Sequence, residues 1–335
     1  MPEISEMKNL LETIKKADAG DADAQYRVAW YMIYEDQKEE VGVDWGERAV
    51  EYFELAGSQG HGDAMLDLGA MYIAGRGVKY DKEKAVYWYK KAAEMLYPKA
   101  FRCLIYALDI PCEYFDPQTD DTNYRAIYEY AFKGALLGEQ NALYILGDLF
   151  FSGKYARRNQ RLAYDLFCKS WDLIDDKEDD CYADVCLRIG ECYLKGMAEI
   201  QDVEEAEDYL RHAMESYEFR RANGDLAEFI DPGYNRAQAL IKEINSGKAY
   251  EGLNPITEHS EDGYNGFLTK MENFDENSYE EAFLLYTRYA MSGGDVRKEA
   301  LSNLSLMYKN GLGVEKDEAF AALCGSKSLE GTGDN

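Results

Sequence analysis

Ser5 and Lys8 stand three residues apart. On a helix that spacing brings an amine within one turn of a hydroxyl, the pairing that activates the nucleophile of serine acyl-enzymes. Neither Ser-Asp-Asn nor Lys-Thr-Gly accompanies it, so the pair reads as chance. Gly75-Arg76-Gly77 has the small residues of a phosphate loop. It lacks the third glycine and the Gly-Lys-Ser/Thr ending, and it follows a predicted helix where a phosphate loop follows a strand. The seven cysteines include no Cys-x-x-Cys pair, and His61, His212 and His259 are far apart. A structural zinc site needs closer ligands, so the cysteines read as reduced, mostly buried thiols. Acidic pairs are too abundant to single out a glycosidase dyad. These arrangements point away from an enzyme, and neither a metal nor a cofactor is expected.

What the sequence does organise is a repeat. Ala49, Ala85, Ala126, Ala163, Ala206, Ala282 and Ala319, all but Ala163 directly after a charged residue, stand at spacings of 36, 41, 37, 43, 76 and 37 residues. The spacing of 76 is that of two units, so one degenerate unit lies between Ala206 and Ala282. A second series, Ala24, Ala64, Ala100, Ala142, Val185 and Ala300, marks the other helix of each unit. Five positions later comes a small residue at Ala29, Gly69, Gly147, Gly190 and Ser305, while Ile105 departs from the rule. Glycine is a poor helix former, so its recurrence inside helices predicts close approach of two backbones. Helix pairs of this length cannot bury their apolar faces alone and must stack. The fold class predicted is all-α, a right-handed α/α superhelical solenoid. Tyr72, Tyr193 and Tyr308 recur at one repeat position, which reads as packing between units.

Composition narrows the function classes. The chain has 335 residues, 46% of them hydrophobic, and a net charge of −27. No apolar run approaches the length of a membrane span, and the N-terminal stretch lacks the apolar core of a signal peptide, so a cytoplasmic location is expected. The charge repels nucleic-acid phosphates and anionic lipid, which leaves no direct nucleic-acid or membrane partner and favours a basic protein. Acidity also serves solubility.

Along the chain, residues 1–19 read as a capping helix, 20–217 as about five repeats, 218–262 as a degenerate repeat with a loop, 263–329 as further repeats and 330–335 as a fraying tail. The acidic turn at 35–40 and the inserted loop at 110–117 interrupt the pattern.

The most regular unit reads Ala64, Leu68-Gly69, Tyr72, then the turn Gly75-Arg76-Gly77-Val78, then Asp81, Lys84-Ala85, Trp88 and Lys91-Ala92-Ala93. The turn recurs at Gly311-Leu312-Gly313-Val314. This pattern resembles the Sel-like repeat of the tetratricopeptide-like superfamily. The resemblance implies a non-catalytic scaffold or adaptor that binds a protein or peptide, with no catalytic residues to carry over. It also implies that the first helix of each unit lines the concave side. On that side, positions three and six after each anchor share a helix face. They place Arg27, Trp30, Asp67, Tyr106, Asp148, Arg188 and Glu191 as candidate binding residues, aromatics as anchors and carboxylates for a basic ligand. An alternative is an acidic nucleic-acid mimic that inhibits a basic protein. A third is a β-lactam-hydrolysing enzyme of the secreted, cysteine-rich branch, whose paired cysteines and signal peptide this chain lacks.

Overall fold

The computed structural model describes residues 4–35, 43–108, 121–177, 179, 181–197, 201–225, 227–247, 276–292 and 294–330. Among them the secondary structure is helical, with no strand. The chain divides into two compact units, residues 1–109 and 110–335. The first contains α1 (Ile4–Asp18), α2 (Ala22–Trp30), α3 (Val43–Ser58), α4 (Gly62–Ala74), α5 (Lys82–Glu94) and α6 (Pro98–Ala107). The second contains α7 (Asp121–Leu136), α8 (Gln140–Ser152), α9 (Gln160–Asp172), α10 (Tyr182–Leu194), α11 (Val203–Ala222), α12 (Ala227–Asn245), α13 (Glu276–Ser292), α14 (Asp295–Asn310) and α15 (Glu318–Leu329). All but Glu35 of the expected turn at 35–40, the loop at 110–117, most of 246–262 and the tail after 330 lie outside the described residues.

Short-range chemistry starts and stops these helices. Asp21, Asp81, Asn159, Asp202 and Asp317 each accept a backbone N–H two or three residues on, at 2.8–3.1 Å. Such caps satisfy donors that the first turn leaves orphaned. At the other end, Gly75, Gly153 and Gly311 take the left-handed conformation at φ 63°, 76° and 69°. That closes a helix at no steric cost for glycine.

The cap also sets the register of packing. Four residues after it stands a buried alanine: Ala85 after Asp81, Ala163 after Asn159, Ala206 after Asp202 and Ala321 after Asp317. The last of these corrects the expectation at Ala319, which is only half-buried. Against these helices pack the small residues of the first helix. A Cβ on Gly69 would lie 2.3 Å from the Tyr89 ring. On Gly147 it would meet Phe167 at 2.7 Å, and on Gly190 the Ala206 carbonyl at 3.1 Å. Ser305 uses its place differently, donating its hydroxyl to the Ala321 carbonyl at 2.7 Å.

In the second unit the stacking leaves chain order. α7 packs on α8 and also on the C-terminal helices. Phe132 meets Phe283 of α13 and Phe320 of α15 edge-on at 6.4 and 6.0 Å, and Tyr128 meets Phe283 at 6.1 Å. All four rings are buried. The rim is polar. The hydroxyls of Tyr128 and Thr287 share a hydrogen bond at 2.6 Å, Arg125 donates to the Gly313 carbonyl, and Tyr155 donates to Glu280 at 2.7 Å. Partners 125 to 188 residues apart thus form one core.

α12 supplies the second departure. It lies on α11, where Ile230, Ala237 and Leu240 join a buried cluster with Leu210, Ala213 and Tyr217. Gly233 admits the crossing: a Cβ there would stand 2.1 Å from the Tyr217 hydroxyl oxygen.

Candidate protein-interaction face

In the first unit the register that carries the candidates faces outward. Trp30 on α2 is 39% exposed and Tyr106 on α6 is 51% exposed. Between them, on α4, comes the exposed Ala70. Arg27 is exposed and Asp67 half-buried. Thus two aromatic side chains flank a small residue on helices from three successive repeats. Past Trp30 the helix makes a π-type turn over Tyr31–Glu35, and Arg76 donates to the Ile33 carbonyl there.

The same helices carry an acidic, aromatic cluster around His61. His61 stacks on Tyr26 at 4.5 Å and its Nε2 stands 3.4 Å from Asp23. Its Nδ1 accepts from the Ala64 N–H at 3.2 Å, so an imidazole serves as the N-cap of α4. Tyr97 donates to Asp63 at 2.6 Å. Burial pushes the Asp67 carboxyl above its ordinary pKa, against the hydrogen bond from Tyr26, and the Asp63 charge pushes the same way.

The second unit treats the same register differently. Asp148 is 2% and Glu191 1% exposed, and Arg188 is buried with them. Arg188 joins the two carboxylates, at 2.6 Å to Asp148 and 2.7 Å to Glu191. Its guanidinium lies over the Phe151 ring at 4.9 Å, with Lys195 over the same ring at 5.0 Å. Arg236 reaches back from α12 to Glu191 at 2.7 Å. Burial works to raise the pKa of Glu191, but Arg188, Lys195 and Arg236 prevail and it is lowered. For Asp148 burial prevails over Arg188, and its pKa is raised. These three candidates therefore bind one another and α12.

The structure thus leaves Arg27, Trp30 and Tyr106 exposed and Asp67 half-buried on the first unit, and brings Asp148, Arg188 and Glu191 together inside the second. Sequence reasoning missed Arg236, His61 and Tyr26. Arg236 sits in the segment with the weakest repeat pattern, and no spacing signal reveals a partner 45 residues away. The cap at His61 was legible as the residue three before the anchor Ala64. Among the described residues no group of His, Cys, Asp or Glu side chains has the geometry to hold a metal ion. Among them too, no helix is long and apolar enough to cross a membrane.

Comparison with known proteins adds the following. The family model described as the Sel1 repeat matches residues 22–61, 62–95, 140–173, 183–213 and 298–329. A solved Sel1 repeat protein from Oxalobacter formigenes is 20% identical over 86% of this chain and 99% of its own, with a TM-score of 0.42. A protective antigen of uropathogenic Escherichia coli with an SLR fold is 20% identical over 95% of this chain and 79% of its own, with a TM-score of 0.35. An immunity protein from Pseudomonas aeruginosa is 20% identical over 71% of this chain and 87% of its own, with a TM-score of 0.39. No curated protein matches the chain.

Proposed function

Because the chain belongs to the Sel1 repeat family, whose members are in general protein-interaction scaffolds and typically non-catalytic, we propose that it binds a protein or peptide on the row lined by α2, α4 and α6. This is the row expected to line the concave side. The observation that carries the reading is the contrast in one repeat register: Trp30 and Tyr106 are exposed where Asp148 and Glu191 are buried. Large exposed aromatics are what interfaces use as anchors, because they bury much area at small entropic cost. Ala70 leaves room between them for an incoming side chain.

The partner we favour is basic. The chain carries −27, and α2 and α4, which line this row, carry the carboxylates of Asp23, Asp63 and Asp67. Asp148 and Glu191 add nothing to that preference, since Arg188 and Arg236 neutralise them. On this reading the protein does no chemistry and takes no cofactor. We place its work in the cytoplasm.

The test is affinity capture with the intact chain, washed at low and at high salt. A partner retained at high salt and lost with Trp30→Ala plus Tyr106→Ala supports the reading. Partners that all wash off with salt and compete with nucleic acid support the acidic-mimic alternative, since such binding follows counterion release.

A further inference from the structure

The repeat closed by the turn at Gly311 carries a substitution that the structure answers from another helix. It aligns with the repeat of α4 and α5 at the points that set the turn and the cap: Tyr308 with Tyr72, Gly311 with Gly75, Asp317 with Asp81. In both, the aspartate N–H donates to the tyrosine carbonyl, at 3.0 Å for Asp81 and 2.9 Å for Asp317. In the earlier repeat Lys84 holds its ammonium 5.0 Å from the Tyr72 ring. The matching position in the later repeat is Phe320, which has no charge to offer. The cation over Tyr308 comes instead from α7. Lys133 Nζ lies 4.7 Å from the Tyr308 ring and 5.3 Å from the Phe320 ring. It pairs with Asp317 at 3.0 Å and with Glu129 of its own helix at 3.1 Å.

We propose that α13, α14 and α15 form a separable latch on α7, and that Lys133 is the residue by which α7 recognises it. The three helices have a core of their own, with Tyr308 against Phe283 at 6.1 Å and against Phe320 at 4.8 Å. They have their own cap at Asp317 and their own turn, in which Gly313 abuts Tyr279. What joins them to α7 is a set of side-chain contacts: Arg125 with Gly313, Tyr128 with Phe283 and Thr287, and those around Phe132 and Lys133. A buried ammonium is costly unless paired, and ion pairs of this kind select a partner more than they stabilise it. An ordinary repeat with its own lysine at the Phe320 position would set two cations over one ring. The latch repeat, with phenylalanine there, leaves room for the one from α7. Its release would uncover Phe132, Phe283 and Phe320 together.

Amide hydrogen exchange on the full chain tests this. Lys133→Glu places a third carboxylate beside Glu129 and Asp317. It should raise exchange about 10-fold or more in residues 127–135 and 318–329 while residues 183–213 keep their protection. Thr287→Val, a milder change that removes the hydroxyl partner of Tyr128, should act on the same segments to a smaller extent. Unchanged exchange in both variants overturns the latch, and equal acceleration everywhere overturns its separability. Recognition has its own readout. Phe320→Lys alone crowds two ammonium groups over Tyr308, and adding Lys133→Met relieves the crowding. The double variant should therefore be better protected than Phe320→Lys alone. Losses that simply add would contradict recognition by exchange of the cation.

Discussion

Arg236 places Nε and Nη2 at 2.8 and 2.7 Å from one oxygen of Glu191. Arg188 takes the other oxygen at 2.7 Å. Two guanidinium groups from α10 and α12 thus share one buried carboxylate. Through it α12 is tied to a repeat register whose side chains Trp30 and Tyr106 are exposed in the first unit.

Glu191→Gln should therefore destabilise the second unit by about 3–5 kcal/mol at neutral pH, because Arg188 loses a buried counter-charge. The pH dependence has a definite sign. The pKa of Glu191 is lowered on folding, so its contribution is present above the unfolded carboxylate value and is lost as pH falls through the folded one. Urea unfolding from pH 7 down to pH 3 should show the gap between the two proteins closing in acid. A constant gap would mean that the charge of Glu191 is not what matters.

Gly69→Ala, Gly147→Ala and Gly190→Ala reverse the usual sign of a helix substitution. In an open helix alanine is favoured over glycine by about 1 kcal/mol. Here the added methyl meets Tyr89, Phe167 or the Ala206 carbonyl. Overpacking of that kind costs about 1–3 kcal/mol. Thermal unfolding should show a lower Tm for each variant, and a rise in Tm would refute the close-packing account of the repeat.

At the start of α4 the imidazole of His61 does the work usually given to Asp or Asn. His61→Ala should cost about 1 kcal/mol, whereas His61→Asn, which can still accept from Ala64, should cost much less. Equal losses would show that the stacking on Tyr26, not the cap, is what His61 contributes.

The repeat was legible because its rules are local. A cap, an alanine four residues later and a small residue on the facing helix recur within each unit, and Gly69 with Tyr89 shows why. Where two alanines compete, as Ala319 and Ala321 do around Phe320, spacing alone chose wrongly by two residues; the cap at Asp317 decides it. The junction of Phe132 with Phe283 and Phe320 left no such trace. It joins positions more than 150 residues apart, and periodicity carries no information about which units touch out of order. The same holds for Arg236 and Glu191. Asp148 and Glu191 occupy the same register as Ala70 and Trp30, and it is Arg188 of α10 and Arg236 of α12 that turn this register into a buried network.

The measurement that tests the central claim most directly is quantitative affinity capture with three versions of the chain. One is unaltered, one carries Trp30→Ala and Tyr106→Ala, and one carries Tyr80→Ala and Tyr87→Ala, which remove two exposed tyrosines outside the proposed row. The account predicts at least a ~10-fold loss of a salt-resistant partner in the second version alone, as befits two aromatic anchors, with no fall in Tm. Equal capture by all three versions would contradict it.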